Sequence, residues 1–179
     1  GRFMIHGRSC VIRHICKRHD CFTKHDHNEW LTLGIDQISI GELNIDMYKF
    51  ILSMPNIDVN LSDEKGNTAL MYACRNGLEE VVDILLRHDH TDINKQNVRG
   101  MTALHFATMR SSMPYTHNSE AIIESVIRHT QIDITLKNTR GLSALIYCAA
   151  WGHNGPLLTA LITLGSDVND YYEGYGNAL

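Results

Sequence analysis

Four side chains near the start of the chain have the types and spacing to hold a metal ion. They are Cys10, Cys16, Cys21 and His25, in the order Cys-x5-Cys-x4-Cys-x3-His. Thiolates and imidazole favour zinc over hard cations such as calcium or magnesium. Three thiolates and one imidazole complete a tetrahedral Zn²⁺ shell, with bonds of roughly 2.0–2.3 Å, and leave no open position for a substrate. The expected site is therefore structural, with one zinc per chain. His14, His19 or His27 could each replace His25 as the fourth ligand.

The surrounding residues explain why a metal would be needed. Residues 1–28 hold few apolar side chains, among them Met4, Ile5, Val11, Ile12, Ile15 and Phe22. A unit that small buries too little surface to fold without a staple. It is also basic: Arg2, Arg8, Arg13, Lys17, Arg18 and Lys24 against Asp20 and Asp26 give a local charge of +4, whereas residues 29–179 carry −8. The run C-K-R-H-D-C-F-T-K-H, residues 16–25, resembles the second half of a CCCH zinc finger of the kind found in RNA-binding proteins. That resemblance implies contact with single-stranded RNA, with Phe22 stacking on a base and Arg13, Lys17, Arg18 and Lys24 holding phosphates. Two plainer readings compete with it. One is a basic tail with reduced thiols; the other is an amphipathic cap helix with Val11, His14, Ile15 and Arg18 at helical spacing.

The rest of the chain is governed by a recurring phrase. It reads Gly66-Asn67-Thr68-Ala69-Leu70, then Gly100-Met101-Thr102-Ala103-Leu104, then Gly141-Leu142-Ser143-Ala144-Leu145, and starts again at Gly176-Asn177-Ala178-Leu179. The first two intervals are 34 and 41 residues. Self-similarity at such a period marks a solenoid of stacked repeats. After the first phrase come Gly77, the stripe Val81, Val82, Leu85 and Leu86, and the closing Thr91-Asp92-Ile93-Asn94. This pattern resembles the ankyrin repeat. The resemblance implies an all-α solenoid of helix-turn-helix units with hairpin loops, preceded here by the metal-stapled segment.

Each piece of the pattern has a physical task. Thr68 is placed to cap an inner helix, Gly77 to supply the left-handed residue that ends it, and the apolar stripe to bury an outer helix. The expected division is 1–28 for the finger and 29–179 for the array. The array comprises a degenerate repeat at 29–60, full repeats at 61–94, 95–135 and 136–169, and a truncated fifth at 170–179. The extra length of the middle repeat falls at Ser111–Ser119, where Pro114 cannot continue a helix. Arrays of this kind end in a polar cap and none is visible, so the natural chain is expected to continue past Leu179.

The resemblance also implies a concave binding surface lined by hairpin tips and inner helices. Lys65, Arg99 and Arg140 occupy one position, immediately before the three glycines. With Arg75 and Arg110 at the ends of inner helices they form a basic ladder around Met101, Met109, Leu142 and Trp151. Arg and Trp are common interface anchors, so a protein partner with an acidic or mixed acidic and apolar segment is expected there, although basic tip residues also suit ordinary solvated turns and Trp151 also suits burial beneath the neighbouring repeat. His105 stands where such repeats use a hydrogen-bonding histidine, and a structural role is expected of it.

Other functions find little support. No phosphate loop, G-x-S-x-G or H-E-x-x-H occurs, so no enzyme and no small-molecule substrate are expected. The net charge of −4 is mild, and no apolar run approaches the roughly 20 residues that span a bilayer, so no membrane partner is expected. Cys74 and Cys148, alone within repeats, suit a reducing compartment, cytoplasmic or nuclear. A viral or bacterial effector that binds a host protein is an alternative with the same sequence features.

Overall fold

The computed structural model describes residues 49, 52, 57–110, 119–150, 155–169, 171–172 and 176–177. The Cys10, Cys16, Cys21 and His25 set, the finger's basic residues with Phe22, and most of the degenerate repeat lie outside the described residues. So do residues 111–118 of the insertion.

Among the described residues three helix pairs follow one another. They are α1 (Ala69–Asn76) with α2 (Glu79–Leu86), α3 (Ala103–Arg110) with α4 (Ser119–Ile127), and α5 (Ala144–Ala150) with α6 (Gly155–Thr163). Strands β1 (Tyr171–Tyr172) and β2 (Gly176–Asn177) then pair antiparallel. Each pair starts at the recurring phrase. Thr68 is extended, its Oγ1 accepts the Met71 N–H, and its own N–H donates to Met71 Sδ, which makes a capping box with a thioether in place of the usual carboxylate. Gly77, at φ 68°, ends α1, and the Leu78 N–H turns back to the Ala73 carbonyl. A residue with a Cβ would be strained in that left-handed turn.

The inner helices carry the smaller residues. Ala69, Ala73, Ala103, Ala107 and Ala144 are buried and allow close stacking along the array. The outer helices add the stripes: Val81, Val82 and Leu85, then Ile122, Ile123 and Val126, then Leu157 and Leu161, all buried in one continuous cluster with Leu70, Leu104 and Leu145. The exposed sides carry i,i+4 ion pairs, with Arg128 Nη2 2.9 Å from Glu124 Oε2, and such pairs add only a few tenths of a kcal/mol.

The fourth copy of the phrase departs from this plan. In the first and third hairpins the bridged residues are Ser62 with Thr68 and Lys137 with Ser143, which flank the glycine at −4 and +2. In the last hairpin Tyr172 pairs with Gly176 itself. Six residues lie between Asn169 and Gly176, one more than between Asn94 and Gly100.

Candidate functional site

The hairpin tips share one internal scaffold. Asp63 Oδ1 accepts the backbone N–H groups of Lys65 (3.0 Å) and Asn67 (2.7 Å). Asn97 Oδ1 does the same for Arg99 and Met101, both at 2.9 Å. Asn138 Oδ1 repeats it for Arg140 (2.9 Å) and Leu142 (3.0 Å). An Asp or Asn side chain that binds backbone two residues on is a turn-forming device. Here it holds the basic residue at the apex, and Gly66, Gly100 and Gly141 follow at φ 75°, 69° and 76°.

Consecutive tips are then joined through the basic residues themselves. The Lys65 carbonyl accepts the Val98 N–H at 3.0 Å, and the Arg99 carbonyl accepts the Thr139 N–H at 2.9 Å. Because these bonds fix the register between tips, Lys65, Arg99 and Arg140 fall in a row, and all three are exposed. Glu64 precedes Lys65 in the chain, whereas the uncharged Val98 and Thr139 precede Arg99 and Arg140.

Residues 37–113 match the family model for ankyrin repeats in three copies. The helix pairs agree with that match on an all-α ankyrin-type fold, and the same plan runs on beyond residue 113 to α6. Among curated proteins, the chain is similar to acyl-CoA-binding domain-containing protein 6 of Bos taurus, at 46% identity over 47 residues, 26% of this chain and 17% of that protein. The Homo sapiens counterpart is 45% identical over 47 residues, with the same coverage of 26% and 17%. A probable E3 ubiquitin-protein ligase, XBOS33, of Oryza sativa subsp. japonica is 48% identical over 50 residues, 28% of this chain and 10% of that protein. The chain thus spans under a fifth of the length of each of these relatives.

Not every residue expected on the ankyrin surface reaches it. Met101 is 6% exposed and Leu142 5%, so neither side chain is offered to a partner. The residues after Gly100 and Gly66 turn under the next tip: Met101 Sδ accepts from Asn138 Nδ2 at 3.3 Å, and Asn67 Oδ1 accepts from Asn97 Nδ2 at 2.8 Å. The exposed apolar residue at the tips is instead Val98, 66% exposed beside Arg99. Arg75 is exposed at the end of α1, and Met109 is 37% exposed near the end of α3. Trp151 and the side chain of Arg110 lie outside the described residues.

The Asp63, Asn97 and Asn138 scaffold was not picked out from sequence, although a signal exists. All three stand three residues before a phrase glycine, as D/N-x-x-G. Asp63 differs from its two counterparts by its charge. Burial raises its pKa, but the Tyr72 hydroxyl at 2.6 Å from Oδ2, the backbone N–H groups of Asn67 and Lys65 and the Asn67 side chain outweigh that and hold it below the usual carboxylate value. In the third tip the polarity is reversed, since Asn138 Nδ2 donates to Tyr147 Oη at 3.0 Å.

His105 has the structural role expected of it. Its Nδ1 faces the Thr102 N–H (3.2 Å) and hydroxyl (2.8 Å), and its Nε2 faces the Leu142 carbonyl (3.0 Å). A backbone N–H can only donate and a carbonyl can only accept, so the proton sits on Nε2. Burial pushes its pKa below 6.5, partly opposed by the Leu142 carbonyl. Cys74 and Cys148 are both fully buried, and burial pushes their thiols up to about 12, which leaves almost no thiolate at neutral pH. Among the described residues no group of His, Cys, Asp and Glu could hold a metal ion, and no helix is long and apolar enough to cross a membrane.

Proposed function

We propose that this ankyrin-type array is a protein-interaction module, without catalysis, that captures an extended acidic segment along the Lys65–Arg99–Arg140 row. The observation that carries this reading is the backbone pairing of Lys65 and Arg99 with the tip that follows each, which brings Lys65, Arg99 and Arg140 to one register position. Packed helices lie about 8–10 Å apart, and an extended strand rises about 3.3 Å per residue. The matching ligand therefore carries a carboxylate at roughly every third position. Val98 offers an apolar contact beside Arg99, and Arg75, Met109, Arg110 and Trp151 extend the proposed surface.

The test uses a labelled peptide with Glu at every third position and a scrambled peptide of equal charge, read by fluorescence anisotropy. The periodic peptide binds more tightly, and Arg99→Glu or Arg140→Glu removes that preference without changing the circular dichroism. Equal binding of both peptides to both proteins rules the reading out.

A second reading concerns residues 1–28 and rests on the spacing of Cys10, Cys16, Cys21 and His25. We infer one structural zinc and contact with single-stranded RNA, the array then recruiting a protein. Elemental analysis of the purified chain returns one zinc per chain, and Phe22→Ala weakens a gel shift on single-stranded RNA. Zinc-free protein that folds normally removes this reading and leaves the first intact.

A further inference from the structure

The helix pairs are tied to each other at two places, and the two do not run equally along the stack. On the hairpin side every described junction is bonded. The last junction is bonded most fully there: Arg99 carbonyl to Thr139 N–H at 2.9 Å, Gln96 Nε2 to the Lys137 carbonyl at 2.9 Å, and His105 Nε2 to the Leu142 carbonyl at 3.0 Å.

In the loops that lead into the hairpins, an asparagine bridges each of the first two loops to the next. Asn60 Nδ2 donates to the His90 carbonyl (2.6 Å), and its Oδ1 accepts the Asp92 N–H (2.7 Å). Asn94 Nδ2 donates to the Gln131 carbonyl (2.6 Å), and its Oδ1 accepts the Asp133 N–H (2.8 Å). The next residue in this series is Thr135. A threonine lacks the amide's separate donor and acceptor arms. Its hydroxyl turns back to Asp133 Oδ1 at 2.6 Å, its N–H binds the same oxygen at 2.9 Å, and among the described residues it makes no bond to the loop at 164–169.

A second observation falls on the same unit. Ser143 and Ser166 carry buried side-chain oxygens with no hydrogen-bond partner. Their counterparts are satisfied: Thr102 Oγ1 meets His105 Nδ1 at 2.8 Å, and Thr91 Oγ1 donates to the Leu85 carbonyl at 2.5 Å. A buried polar atom left unpaired destabilises the element that carries it.

We propose that α5 and α6 open from the stack as a unit, hinged on the bonded tip at 138–142, with the gap forming at Thr135. The two preceding helix pairs stay closed. Local opening in cooperative units follows the distribution of such bonds. The basic row lies on the hinge side, so Arg140 stays aligned with Arg99 while the helix side of the last unit loosens. This inference stands apart from what the row binds.

Amide hydrogen exchange of the full chain, resolved residue by residue by NMR, tests it. Amides of α6 exchange at least about tenfold faster than those of α2 and α4, while Thr139 and Leu142 stay as protected as Val98 and Met101. Thr135→Asn restores the bridge at an exposed position and slows α6 exchange by about three- to tenfold, with α2 unchanged. Asn94→Thr moves the break one unit back, so that α4 exchanges at the rate of α6. The proposal fails if α6 is as protected as α2, or if Thr135→Asn leaves α6 unchanged. Exchange of Thr139 together with α6 also overturns the hinge, because it describes fraying of the whole unit from its end.

Discussion

The junction between the first two helix pairs and the junction between the second and third grow from the same phrase but are held differently. The first has the Asn94 bridge on its loop side and the Asn67–Asn97 bond on its tip side. The second loses the bridge at Thr135 and gains the His105 bond to Leu142. Among the described residues the helices of the first junction also meet more extensively than those of the second, so the second relies on bonds that have migrated to one edge. In a stack whose units touch only their neighbours, such local differences are not averaged away by a common core.

The largest expected effect probes packing, where the two regions should differ in cooperativity more than in cost. Leu104 is 2% exposed and Leu145 0%, and truncation of either to Ala removes about 3 kcal/mol. Leu104→Ala shifts the main urea transition, because both junctions need its helix. Leu145→Ala creates a separate, earlier transition confined to α5 and α6. A single shared transition in both variants would erase the distinction.

Glycine substitutions give the next effect. A Cβ on Gly100 would lie 2.8 Å from the Thr139 nitrogen and 2.9 Å from Asn138 Cα, in a backbone at φ +69°. Gly100→Ala therefore costs about 2–3 kcal/mol, measured by thermal unfolding. Gly66→Ala costs less, since its nearest contacts are at 3.0 Å.

His105→Met makes the third helix start like the first, where Met71 occupies the same place in the capping box. It loses the bond to the Leu142 carbonyl and costs about 1–2 kcal/mol. It also removes a pH dependence. The folded-state pKa of His105 lies below 6.5, so the unfolded chain takes the proton first. Its contribution is complete above about pH 6.5 and declines as pH falls toward the folded value. The variant minus wild-type difference in stability therefore shrinks across that window; a constant difference would contradict the assignment.

Asp63→Asn is the mildest change, because Asn97 and Asn138 already do the same work. At neutral pH its effect stays within about 1 kcal/mol. In acid the two proteins diverge. The lowered pKa of Asp63 gives wild type stability that is present above pH 3.8 and lost as pH falls through the folded value. Acid titration followed by circular dichroism should show the variant flatter there.

Much of this architecture was legible in single residues. Thr68, Gly77 and the Val81–Val82–Leu85 stripe act over one helical turn, so their types announce their tasks. His105 is legible only through the resemblance to the ankyrin repeat, since its type names neither Thr102, three residues away, nor the Leu142 carbonyl, 37 residues away. Met101 and Leu142 are buried against expectation, because apolar type does not say which way a turn residue points. The Asn97 and Asn138 scaffold was missed although each binds within four residues, because its polar type also suits an ordinary solvated turn.

The sequence by itself determined the repeat, its period, the caps and the identity of the three cations before the glycines. Those features depend on backbone preferences and on neighbours within a turn or two. Only the tertiary structure decided that the residue before each glycine is exposed while the residue after it is buried, Asn67 and Met101 beneath the next tip. It also decided that Thr135 leaves one junction open on its loop side. Both depend on groups 30 to 39 residues away, and a chain reaches them only once its helices have stacked.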